Sequence, residues 1–124
     1  MDNLVKGGNI VEVTGEHGKI RIANDVIMLI AQEAVGEVKG IVSLSGGLPV
    51  GITEMFSKKT SSKKGVKIQN QETQVVINLA VVVEYGVIIP EVIRLVQEKV
   101  KRSIEAMTDI EVGRVNVFVQ DIRI

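Results

Sequence analysis

The residues of this 124-residue chain that could do chemistry are a lone histidine, scattered carboxylates and a run of lysines. There is one His, His17, and no Cys. Ser-His-Asp and Cys-His nucleophiles need a firmly held His, and metal sites usually need several His or Cys ligands, so neither can be assembled from one copy. Of the carboxylates, Glu84 closes a strand-like run, Glu91 falls in the first turn of a helical pattern and Glu111 follows a turn. A helix N-terminus favours an anion without any catalytic purpose, so this is ordinary helix chemistry. No cofactor motif accompanies the carboxylates, no cofactor or metal is expected, and the chain reads as not an enzyme.

Two glycine patterns invite a functional reading and fail it. Gly15-Glu16-His17-Gly18 matches the G-x-x-G that clamps an RNA backbone in KH modules. It contains no Lys or Arg and precedes a strand-like segment, Lys19–Ala23, so a turn is expected. Gly46–Gly51 spells GGLPVG, but Ile52 stands where a phosphate-binding loop needs its Lys. The lysine run is the remaining feature. Lys58, Lys59, Lys63 and Lys64 have no acid among them, and Lys67 extends the run just inside the next strand. Such a patch suits phosphate, anionic lipid or an acidic partner, at no more than about 1 kcal/mol per Lys near an anionic surface. A solvated loop has the same composition. Without interleaved aromatics it is a poor nucleic-acid signature.

The elements that must position these residues are organised around Val75–Met107. Val75, Ile77, Leu79, Val81 and Val83 alternate with Val76, Asn78, Ala80, Val82 and Glu84, the pattern of a central strand buried on at least one face. After Gly86, Pro90 opens a helix with apolar positions at Ile89, Val92, Ile93, Val96, Val100, Ile104 and Met107, a spacing near 3.6. Its polar face carries Glu91, Arg94, Glu98, Lys101, Arg102 and Glu105, with Glu98 and Arg102 placed as an i,i+4 pair. A first helix is expected over Val26–Val38, with Asn24 or Asp25 as N-cap and Gly40 as the residue that ends it. Short strands are expected at Ile10–Val13 and Ile41–Leu44, and one or two helical turns at Gly51–Ser57. Val66–Asn70 and Gln74–Tyr85 form a hairpin through Gln71-Glu72-Thr73. The last strand, Arg114–Ile124, slips phase near Gln120-Asp121, which predicts a bulge. The order is (β)αβ-ββαβ. It implies an α+β domain with two helices packed on one face of a three- to four-stranded mixed or antiparallel sheet, spanning residues 18–124 behind a loosely ordered arm at 1–17.

Composition narrows the function classes. Twenty-two Val and 16 Ile set against 2% aromatics leave little surface for base stacking or an aromatic cleft. Fifteen basic and 15 acidic residues give no net field towards nucleic acid or an anionic membrane. No secretory h-region or membrane-length apolar run stands out, so a cytoplasmic location is expected.

Four motifs, GKIRIANDVI, EVKGIVSLSGG, EYGVIIPEV and MTDIEVGRVNVFVQDI, recur in order from Gly18 to Ile124. In these the chain resembles the alkaline shock protein family, envelope stress response proteins of Gram-positive bacteria. The resemblance implies a small cytoplasmic αβ domain without known enzymatic activity. Some relatives sit under the membrane, recruited by a separate membrane-anchor protein. Others look like cytosolic regulators of fatty-acid synthesis acting through acetyl-CoA carboxylation, and the fold is similar to ring-building modules of sporulation secretion complexes. The resemblance carries no site residues. The expected function is a scaffold or adaptor acting through protein–protein contacts, with a membrane-anchor protein or a metabolic enzyme complex as partner. Membrane contact is then indirect, and nucleic acid is not expected. Partner-contact candidates are Lys58, Lys59, Lys63, Lys64 and Lys67 with Arg94, Lys101 and Arg102 of the long helix. Strands such as Val66–Asn70 or Arg114–Ile124 could pair with another copy to give a homo-oligomer, or be capped by the N-terminal arm. A KH-like RNA-binding module is a further alternative; the αββαβ order speaks for it, and the neutral charge and the G-x-x-G without a basic residue against it.

Overall fold

In the computed structural model, which describes residues 10–45, 60–63, 65–71 and 74–124, the elements run β1 (Ile10–Gly15), β2 (Gly18–Ala23), α1 (Asn24–Gly36), β3 (Ile41–Leu44), β4 (Thr60–Lys63), β5 (Val66–Asn70), β6 (Val75–Glu84), α2 (Ile89–Thr108) and β7 (Val112–Arg123). The GGLPVG stretch, the turns expected at 51–57, and Glu72 and Thr73 lie outside the described residues. The fold is α+β. β5 and β6 form the expected antiparallel hairpin, and Gln71 N–H donates to Gln74 O across its turn.

β6 is the centre of a five-stranded sheet. Its residues from Val75 to Leu79 pair antiparallel with β5, and those from Val81 to Val83 pair antiparallel with β3. Both neighbours lie on the same edge, because Ala80 N–H donates to Gly65 O while Ala80 O accepts from Ser45 N–H. The end of β3 and the start of β5 meet there at Gly65. Its φ is +82°, and a methyl group at this position would overlap the Ser45 carbonyl oxygen. β4 pairs with the outer side of β5, and β7 runs parallel to β6 along its other edge. The sheet is thus one strand larger than the sequence suggested, because part of the lysine-rich stretch pairs as β4.

The helices cover the β6 face that carries Val75, Ile77, Leu79, Val81 and Val83, each fully buried. Val92, Val96, Val100 and Ile104 of α2 and Ile27, Ile30, Ala31, Ala34 and Val35 of α1 complete this core. Burying such side chains contributes roughly 1.5–3 kcal/mol each. Val76, Ala80 and Val82 on the opposite face are buried as well. The apolar stripe of α2 ends on Thr108 rather than Met107, which is exposed; positions 92, 96, 100, 104 and 108 follow one i,i+4 row. The Thr108 hydroxyl donates to Ile104 O at 2.6 Å and accepts from Ile110 N–H at 3.1 Å, which turns the chain into β7. Asp109 takes the left-handed conformation at the cap.

Other local expectations shift. α1 starts at Asn24, and neither Asn24 nor Asp25 caps it; Ala23 holds that position without a side-chain cap. Gly40 has a positive φ but lies beyond the helix. Its carbonyl accepts from Glu84 N–H, and a Cβ there would press on Val92 and Val87. The N-terminal strand runs to Gly15 and pairs with β2, so residues 10–17 belong to a hairpin rather than to a loose arm. Gly15 and Gly18 pair across its two-residue turn, so the G-x-x-G joins two strands and not two helices. Lys19 meets Glu12 across this hairpin at 3.7 Å. The bulge expected near Gln120-Asp121 is present, as a register shift between Val81 and Val82 of the partner strand.

Candidate interaction surfaces

The predicted contact residues do not gather into one site. Lys58, Lys59 and Lys64 lie outside the described residues, and Lys63 is the last residue of β4. Lys67 stands apart from the other lysines of the run. It sits in mid-sheet on β5 opposite Asn78, is 1% exposed, and burial lowers its ammonium pKa below the usual 10.5. It cannot belong to an exposed cationic patch. Arg94 and Arg102 are exposed on α2. Arg102 borders a shallow groove of about 230 Å³ between α1 and α2, where Lys99 pairs with Glu37 at 2.9 Å. The i,i+4 pair of α2 is Lys101 with Glu105, at 2.8 Å, and not Glu98 with Arg102. Among the described residues no cluster of His, Asp and Glu could hold a metal ion.

Lys101 leads to β7, one of the two strands expected to pair with another copy; the other, β5, lies between β4 and β6 and offers no edge. Among the described residues β7 pairs only with β6, so its far edge is a sheet edge there. Along the first half of that edge, α2 reaches down with polar side chains. Glu105 Oε2 accepts from Val112 N–H at 2.9 Å, Lys101 Nζ donates to Val112 O at 2.9 Å, and Gln97 Nε2 donates to Val115 O at 3.0 Å. The Lys101 ammonium and the Val112 N–H both hold the Glu105 carboxylate below its usual pKa of 4.5. An open groove of about 360 Å³ lies along this half.

The second half is different. Gln97, Lys101 and Glu105 stand on one i,i+4 row of α2, and the row continues towards the N-terminus as Ile93 and Ile89. These cannot hydrogen-bond to a strand. Strand residues alternate, so since Val115 turns its carbonyl outward, Val117 and Val119 turn both N–H and C=O outward too. No described residue bonds to them. Ile122 N–H is met by the Asp121 carboxylate at 2.8 Å, which marks the end of the open stretch. Ile89, Val119, Gln120, Asp121 and Ile122 line a cleft of about 460 Å³ beside it. Phe118, opposite Ala80, presents a half-exposed ring on the sheet face away from the helices. On the same face an amide ladder crosses three strands: Asn116 donates to Asn78 at 3.1 Å, and Asn78 to Gln69 at 3.3 Å. Ser45 and Gln120 also bond across β6. The apolar Ile88, Ile122, Ile124 and Tyr85 remain exposed around this end of the molecule.

A family model for the alkaline shock protein 23 family, described as having a cell envelope-related function, matches residues 12–124. The chain belongs to the alkaline shock protein family. It is 34% identical over 106 residues to the uncharacterized protein YqhY of Bacillus subtilis (strain 168), covering 86% of this chain and 78% of that one. It is 33% identical over 116 residues to the uncharacterized protein YloU of the same strain, covering 92% and 96%. A stress response regulator gls24 homolog of Streptococcus pyogenes serotype M3 is 28% identical over 106 residues, covering 86% of this chain and 59% of the homolog. No solved structure matches. The family match ties the chain to a cell envelope-related function, and this family description names no enzymatic activity. Among the described residues no helix is long and apolar enough to cross a membrane.

Proposed function

We propose that this chain is a non-enzymatic cytoplasmic scaffold or adaptor in the envelope stress response, working by self-association and by binding a protein partner at the membrane. The observation that carries this reading is the uncapped half of the β7 edge beside exposed apolar residues, in a family with an envelope-related function. Unpaired strand edges are templates for association, and natural sheets usually blunt them. Here only half is blunted. Arg94 and Arg102 with the lysines before β5 are left for the partner, whereas Lys101 serves the edge cap. Light scattering over a wide concentration range at two ionic strengths tests the reading. Association that survives high salt is expected of a backbone and apolar interface. A monomer at every concentration and both salts overturns it.

A further inference from the structure

We infer that a second copy of this chain docks antiparallel on the open half of the β7 edge, about a two-fold axis at Phe118. The inference rests on the self-associating reading above and names its surface.

The row Ile89, Ile93, Gln97, Lys101, Glu105 decides where the edge is open. Its polar members close both outward groups of Val112 and the carbonyl of Val115, and its isoleucines leave both outward groups of Val117 and Val119 unbonded among the described residues. The residues with both outward groups open are therefore two, separated by one. That spacing is self-complementary. An antiparallel copy whose axis passes through Phe118 sets Val117 opposite the second copy's Val119, and Val119 opposite its Val117, in hydrogen-bonded pairs. Every outward N–H and C=O of these two residues then finds a partner. The chemistry on both faces agrees. Val117 and Val119 lie on the helix face with Ile89 and Ile93, so each apolar strip meets its own copy. On the other face Phe118 meets Phe118, which would cover a ring now 45% exposed. A two-fold axis closes the contact, so the product is a dimer with one sheet running through both copies. An unrelated extended peptide would need no such symmetry, and the spacing of the open groups would then be incidental.

Phe118 lies in a non-hydrogen-bonded pair with itself in this arrangement, with Cα atoms about 4.5 Å apart, within disulfide range. The chain has no Cys, so a single introduced thiol reports cleanly. Phe118→Cys under mild oxidation should convert most of the protein into a covalent dimer, while Ala106→Cys, exposed on α2, should remain monomeric on a denaturing gel. Phe118→Lys, which sets like charges opposite each other at an exposed position, should raise the dimer dissociation constant at least tenfold by sedimentation, and less at high salt. If the unmodified protein associates but the cysteine at 118 does not cross-link, the edge dimer is overturned and the scaffold reading stands. If the protein is monomeric at all concentrations and no cross-link forms, both fall.

Discussion

Glu105 shows how one side chain can serve both an element and its edge. Its carboxylate accepts from Lys101 within α2 and from Val112 N–H on β7. Charge-assisted bonds of this kind, partly open to solvent, contribute about 1 kcal/mol, so Glu105→Gln should lower the urea-unfolding free energy by about that amount at pH 7. The sign of the pH dependence follows from the lowered pKa. A carboxylate whose folded pKa lies below its ordinary 4.5 adds stability that is complete above that value and is lost as pH falls through the folded value. The difference between wild type and Glu105→Gln should therefore narrow below pH 4.5 and be flat above it, as urea titrations between pH 2 and 8 will show. Sequence reasoning placed Lys101 and Glu105 on the polar face of the helix. It could not see that this face meets a strand edge, because the hydrogen-bond partner is a backbone group, which no residue type announces.

At the scale of elements, the join between β3 and β5 is the tightest point of the sheet. Gly65 combines a positive φ with a position against the Ser45 carbonyl. Gly65→Ala must bear both the left-handed penalty and overpacking against backbone, together about 3 kcal/mol or more, and a marked fall in thermal midpoint is expected. The two halves of β7 should also separate in hydrogen exchange. The Val112 amide, held by Glu105, should exchange at least about tenfold more slowly than those of Val117 and Val119 in dilute monomer, read residue by residue by NMR. Equal rates would show that α2 does not cap the edge. Both helices, the β5–β6 hairpin and the β7 bulge were legible in the sequence, since periodicity, turn residues and phase slips are local signals. The caps of α1 were not. Asn24 and Asp25 both suit a cap chemically, yet the β2 strand delivers Ala23 to that position. β4 was hidden by composition, since Thr60–Lys63 carries no apolar alternation and becomes a strand only by pairing with β5.

For the whole molecule, burial and charge divide the functional candidates. Lys67, expected to extend the cationic run just inside the next strand, is buried in mid-sheet, so Lys67→Met should leave any affinity for anionic vesicles unchanged. A fall comparable to that of a Lys58→Ala, Lys59→Ala double variant in the same vesicle-flotation assay would contradict this placement. The sequence by itself determined the class of the fold and most of its core. The alternation from Val75 to Val83 and the near-3.6 repeat from Val92 to Ile104 each specify which face is apolar, and apolar faces must be buried whatever their partner. The family could also be read from motifs in order along the chain. Only the tertiary structure decided that β3 and β5 share one edge of β6, that β7 keeps an edge unpaired among the described residues, and that α2 closes just the half of it that its polar residues reach. Strand pairing and edge capping depend on backbone groups brought together from distant parts of the chain, and every residue type offers the same N–H and C=O, proline's missing N–H apart. Those pairings are set by packing, and the site they leave open is a property of the folded molecule.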